Sequence, residues 1–181
     1  MFGFAQRATR RRLIEALHHA VVAQSRSPAL YGPGLLPDTV EGRFESLTLH
    51  VLLLMRRMRT LPPPASDVAQ ELVDAVFAHL EIALRESGIG DMGVPKRMKK
   101  LARAFYDRTL KYEAALEAGD AAALSEELAR RLGLDPADMS AVAGYCLDAE
   151  RRLAPCDVES ILNGRAFLAL DAVPASEGPS P

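Results

Sequence analysis

Glu15-Ala16-Leu17-His18 spells E-x-x-H, the i, i+3 pair that sets a carboxylate and an imidazole side by side on a helix for metal binding. A ferritin-like centre needs a second E-x-x-H and two further helical glutamates, and the sequence holds no second copy. His50 and His79 stand singly in helical segments, where a lone histidine serves packing or solvation. His50 lies beside an apolar seam and would need a hydrogen-bond partner if buried. Gly88-Ile89-Gly90-Asp91-Met92-Gly93 spells G-x-G-x-x-G, but that motif binds dinucleotides only after a strand, and a helical pattern precedes it here. Gly88, Gly90, Asp91 and Gly93 are therefore read as a hinge, the glycines supplying positive φ for a sharp helix–helix turn. Cys146 and Cys156 have no C-x-x-C spacing, so reduced thiols in a cytosolic setting are expected. There is no zinc-type spacing and no G-x-S-x-G. No catalytic residue, metal or cofactor is expected, and the chain does not read as an enzyme.

The densest chemical signal follows the hinge. Lys96, Lys99, Lys100 and Arg103 fall at i, i+3, i+4 and i+7, on one face of a helix, with Arg97 beside them. Helix N-termini carry partial positive charge, so cations there cost about 0.3–1 kcal/mol each. A fold optimised for stability alone would place Asp or Glu at these positions. The pattern suggests an anionic partner: phosphate, an acidic lipid headgroup or an acidic protein face. The alternative is a solvated face neutralised by the nearby Glu86 and Asp91.

Charge is distributed in blocks around a net of −2. Met1–Thr60 carries 9 basic against 4 acidic residues, and Leu61–Pro95 carries 1 against 6. Lys96–Lys111 carries 7 against 1, and Tyr112–Pro181 carries 5 against 13. Two basic patches on an otherwise acidic molecule suggest oriented docking onto something negative. The acidic total and the scarcity of aromatics argue against DNA as a partner and weaken an RNA-binding reading.

The elements that must position these residues read as helical throughout, in an all-α single-domain bundle of about six to seven helices. At 181 residues, such a domain buries about 70% of its unfolded surface. The apolar run Val51–Met55 is far shorter than the ~18 residues that cross a bilayer. A first helix is expected over Gln6–Gln24. A second runs to Arg59, with Asp38 as cap and Glu41 as its capping-box partner. Its seam is Phe44, Leu47, Val51, Leu54 and Met58, while Leu49, Leu52 and Leu53 form a second apolar stripe. That second stripe marks either the central helix of the bundle or a client-binding groove. Pro62-Pro63-Pro64 stops the helix, and Ser66 or Asp67 caps a third that reaches Glu86. The basic helix runs from Val94, with Pro95 in its first turn, to Glu117. Shorter helices follow to Leu132, to Leu153 and over Asp157–Leu168. Residues 1–171 form the domain, and 172–181 is expected to be a disordered tail.

Three sequence blocks, in order, carry a family resemblance. Pro37-Asp38-Thr39-Val40-Glu41-Gly42-Arg43-Phe44-Glu45 with Leu47-Thr48-Leu49-His50 is the first, Gln70–Phe77 the second, and Gly88–Asp91 with Val94–Lys99 the third. Together they resemble the ubiquinol–cytochrome c chaperone family, over Tyr31–Leu132. The resemblance implies an assembly factor whose client is newly synthesised cytochrome b of respiratory complex III, with no catalytic residues. It also raises a functional role for Arg43 and Glu45, which flank Phe44 and otherwise read as residues that pair with a neighbouring helix; Arg43 and Phe44 join Leu49, Leu52 and Leu53 as client-binding candidates. A small protein partner and docking on a ribosome or an anionic membrane surface are further implied options. With no leader-like segment, a bacterial form is expected, cytoplasmic and peripheral at the inner face of the cytoplasmic membrane. Two rival classes stay open: a helical RNA- or ribosome-binding module with no client, and an enzyme with an unrecognised helical site.

Overall fold

A computed structural model of the protein describes the backbone of residues 2–88, 90 and 92–163, with side chains from residue 8 onward. Seven α-helices lie among the described residues: α1 Phe2–Ser25, α2 Val40–Arg59, α3 Ala65–Glu86, α4 Val94–Ala118, α5 Ala121–Leu132, α6 Ser140–Leu153 and α7 Val158–Leu162. Short 3₁₀ turns at Pro28–Leu30 and Pro136–Met139 join α1 to α2 and α5 to α6. The only β feature described is an isolated bridge between Tyr31 and Leu36, in the loop before α2. The fold is an all-α single domain.

Nearly every side chain from Glu45 to Leu54 on α2 is buried, so this helix is apolar on all sides because it has neighbours on all sides. It packs on α1, α3, α4 and α6. Leu49, Leu52 and Leu53 are each buried to 1% exposure. The groove expectation for these three is thereby corrected. They fill the core, and in this structure a client cannot reach them. The expected seam is also displaced: Val51, Leu54 and Met58 are buried, while Phe44 and Leu47 are half-buried at its edge.

Polar groups inside this core are matched. His50 Nδ1 donates to the Ser46 carbonyl at 2.7 Å, and its Nε2 accepts from the Tyr145 hydroxyl of α6 at 2.8 Å. Both ring nitrogens are satisfied in one neutral tautomer, and burial holds the His50 pKa down to about 4. Ser46 and Tyr31 both donate to the Ser25 carbonyl and so close the C-terminus of α1.

Several helix starts differ from the sequence expectation. Thr39, not Asp38, caps α2, its Oγ1 accepting from Gly42 N at 3.1 Å. That register puts Gly42 at the third helical position, where a capping box needs Glu, so Glu41 cannot serve. Asp38 instead accepts from Arg43 at 2.6 Å. A Cβ at Gly42 would collide with the Pro37 carbonyl oxygen, so only glycine lets the incoming loop lie against the first turn of α2. Helix α3 begins at Ala65 behind Pro64, ahead of both expected caps, and Ala65 is fully buried. The later boundaries follow their punctuation. Gly119 and Gly133 take left-handed conformations at helix ends, and Asp120, Asp135 and Asp157 cap the next elements. The remainder of the expected last helix and the tail lie outside the described residues.

Candidate functional site

Val94, Phe105, Thr109, Tyr112, Ala115 and Leu116 are the buried residues of α4 and point it at the core. Phe105 meets Phe77 of α3 edge-on at 5.4 Å between ring centres. The inner half of α4 is fastened to α2 by charge. Arg108 Nε donates to Glu45 Oε2 at 2.8 Å, and the Tyr112 hydroxyl donates to Glu45 Oε1. Glu45 is fully buried, so both of its oxygens are matched where water cannot reach. Burial and the adjacent Glu45 carboxylate push the Tyr112 hydroxyl well above the usual phenol range, which keeps it a donor. Arg108 also lies 5.2 Å from the centre of the Phe44 ring.

The outer face of α4 is different. Met92 just before the helix, then Lys96, Lys99, Arg103, Tyr106 and Leu110, follow a 4-3-4-3-4 spacing along one side, with Arg97 and Lys100 flanking. All of them are exposed; Met92 reaches 96%, Leu110 69% and Tyr106 54%. Among the described residues, Lys96, Arg97, Lys99, Lys100 and Arg103 form no ion pair. The first turn of α4 contains no acid, and Gly93 at its N-cap offers no side-chain oxygen. Glu86, expected as a neutralising partner, forms no ion pair among the described residues. Asp91, its expected companion and a member of the hinge, lies outside the described residues.

Gly88 takes φ 81, the left-handed conformation expected of the hinge, and follows Ser87 at the end of α3. Gly93 has φ −84, so it serves as a helix start and not as a left-handed turn. Its N–H donates to the Gly90 carbonyl at 2.7 Å.

The structure separates the remaining sequence candidates. Arg43 is held by Asp38 at the mouth of an open cleft lined by Arg26, Tyr31 and Pro37. That hydrogen bond keeps the Asp38 carboxyl below its usual range. Phe44 turns the other way, half-buried and near Arg108. Tyr106, Leu110 and Met92 were missing from the sequence expectation. The helical spacing that singled out the cations extends through them, and only their exposure distinguishes them from core. His79 does not stand alone: it stacks on His18, whose E-x-x-H partner Glu15 is beside it. Both cysteines are free, and burial pushes the Cys146 thiol up to about 12. Among the described residues, no helix is long and apolar enough to cross a membrane.

A solved structure described as a "Cbp3 homolog from Brucella abortus" superposes on this chain with a TM-score of 0.77. The two sequences are 37% identical, and the match covers 89% of this chain and 91% of the other. Among curated protein sequences none matches significantly. A family model described as "Ubiquinol-cytochrome C chaperone" matches residues 35–169, which include all of α2 through α6 and the whole outer face of α4. By that match, and by the fold shared with the Brucella structure, the chain belongs to the ubiquinol–cytochrome c chaperone family and serves the assembly of respiratory complex III.

Proposed function

We propose that this chaperone docks on an anionic membrane surface through the outer face of α4 and there receives newly synthesised cytochrome b. The observation that carries the reading is the composition of that face: five cations with no ion pair among the described residues at one end and exposed Tyr106 and Leu110 at the other. A cation near an anionic bilayer contributes about 1 kcal/mol, so five give roughly 5 kcal/mol, a weak and reversible attachment. Tyr106 and Leu110 add apolar contact at the headgroup level, where an amphipathic ring is favoured. Weak docking suits a protein that must leave once its client is assembled. A client that is itself a membrane protein is met most directly at the bilayer surface.

Vesicle co-sedimentation tests the docking step. Vesicles with about a third anionic lipid should retain the protein at low salt and release it as salt rises, while zwitterionic vesicles should not retain it. Equal retention by both would refute docking by charge. Retention by RNA instead, with a steep salt slope, would favour the RNA-binding alternative. The client is tested separately by crosslinking in native membranes: cytochrome b should be recovered with the protein, and its absence would refute the client assignment.

A further inference from the structure

The geometry points to a binding site for a divalent late transition metal, best matched by Zn²⁺, formed by Glu15 and His18 of α1 with His79 of α3, and with water completing the coordination. One atom from each of Glu15, His18 and His79 lies within 4.8 Å of the others. Glu15 Oε1 is 3.1 Å from His79 Nε2. Ligand atoms bonded at about 2.0–2.1 Å to a tetrahedral zinc are about 3.3 Å apart, so the Glu15–His79 spacing already matches one edge of such a site. Two imidazoles with one carboxylate form a ligand set that zinc and its neighbours favour.

His79 is oriented for this role. Its Nδ1 donates to the Ala75 carbonyl at 2.9 Å, one turn back on α3, which leaves the Nε2 lone pair directed at the cluster. His18 supplies an independent sign. It is buried to 4% exposure, and its Nδ1 has no hydrogen-bond partner. Buried polar atoms are nearly always matched, and this one has a carboxylate and two imidazoles for company. The His18 and His79 rings stack at 3.9 Å with 21° between their planes. Metal capture therefore needs one ring to turn, and His18, whose Nδ1 has nothing to lose, is the one able to do so. The ligands come from two helices that pack against each other, so a bound ion would pin α1 to α3.

The test uses the untagged full chain after chelator treatment. Titration with Zn²⁺ against a competing chromophoric chelator should show one ion per chain, bound in the micromolar range or tighter. Glu15→Gln and His79→Gln, both at partly exposed positions, should each weaken binding by at least about tenfold and leave apo melting unchanged. Cys156→Ser should bind as the wild type does. Failure of the wild type to bind stoichiometric Zn²⁺, or wild-type affinity in both cluster variants, would overturn the site. Co²⁺ loading gives a readout that requires no variant. The site predicts d–d bands of a nitrogen and oxygen environment without thiolate charge transfer. A strong thiolate band would assign the metal to cysteine and refute the cluster.

Discussion

Arg56, Arg57 and Arg59 end α2, while Lys96, Arg97, Lys99, Lys100 and Arg103 begin α4, and the fold treats the two clusters in opposite ways. The α2 arginines lie in the last turn of their helix, where the macrodipole favours cations. Each has a partner. Arg56 binds Glu150 and approaches Glu113 at 3.6 Å, Arg59 binds Glu113 at 2.7 Å, and Arg57 donates to the Cys156 carbonyl at 2.7 Å. They tie α2 to α4, to α6 and to the segment after it. Of the α4 cations, Lys96 and Arg97 lie in the first turn, where the dipole disfavours them, and all five are exposed and without ion pairs among the described residues. Two segments that look alike as charge patterns are thus treated differently, one paired within the molecule and one exposed without ion pairs among the described residues. A third case sharpens the contrast: Arg108, farther along α4, faces inward to buried Glu45.

The contrast predicts a graded set of responses. The largest belongs to Glu45. Glu45→Ala leaves the Arg108 guanidinium buried without its carboxylate and removes the acceptor of Tyr112, and should cost about 3–5 kcal/mol in chemical denaturation. A loss under 1 kcal/mol would show that this inner bond is not structural.

Acid should act next, through His50. Its pKa is about 4 in the folded chain against 6.5 for a free imidazole, so the unfolded state binds more protons between those values. Stability from this group is full above pH 6.5 and is lost as pH falls toward 4, by up to about 3 kcal/mol. Thermal melts between pH 7 and 4 should show His50→Gln losing less on acidification than the wild type, and equal slopes would contradict the assignment.

Arg56→Gln is a smaller perturbation. It removes charge-assisted bonds to Glu150 and Glu113 at a partly buried position and should cost about 1.5–3 kcal/mol. If it left the melt unchanged, the α2 cluster would be no more structural than the α4 one.

The sequence made the helical bundle legible because apolar residues recur at helical spacing and because Gly119-Asp120 and Gly133 punctuate it clearly. The burial of Leu49, Leu52 and Leu53 could be read only as one of two options. Spacing tells which residues share a face, but not whether another helix covers it. The same limit hid Tyr106 and Leu110, whose spacing is no different from that of core residues. Partnerships distant in sequence were out of reach: Glu45 with Arg108, Arg56 with Glu150, and His18 with His79 form only when helices pack. The first basic block therefore read as a second docking patch. The structure instead shows three of its cations held by acids from elsewhere in the chain: Arg10 by Glu71 at 2.8 Å, Arg56 by Glu150 and Arg59 by Glu113. The basic stripe was legible because it is local to one helix.

The smallest expected effect on stability is the most informative. Changing Lys96, Lys99, Lys100 and Arg103 together to Gln removes one cation from the unfavourable first turn and three exposed cations without ion pairs among the described residues, so the melting temperature should be equal or slightly higher. The decisive measurement is complementation of a deletion strain with this quadruple variant, scored by b-type haem absorbance and ubiquinol–cytochrome c reductase activity alongside the amount of variant protein. The account predicts normal accumulation of the variant with complex III remaining low. Full restoration of complex III would show that the α4 cations are a solvated surface and that docking lies elsewhere.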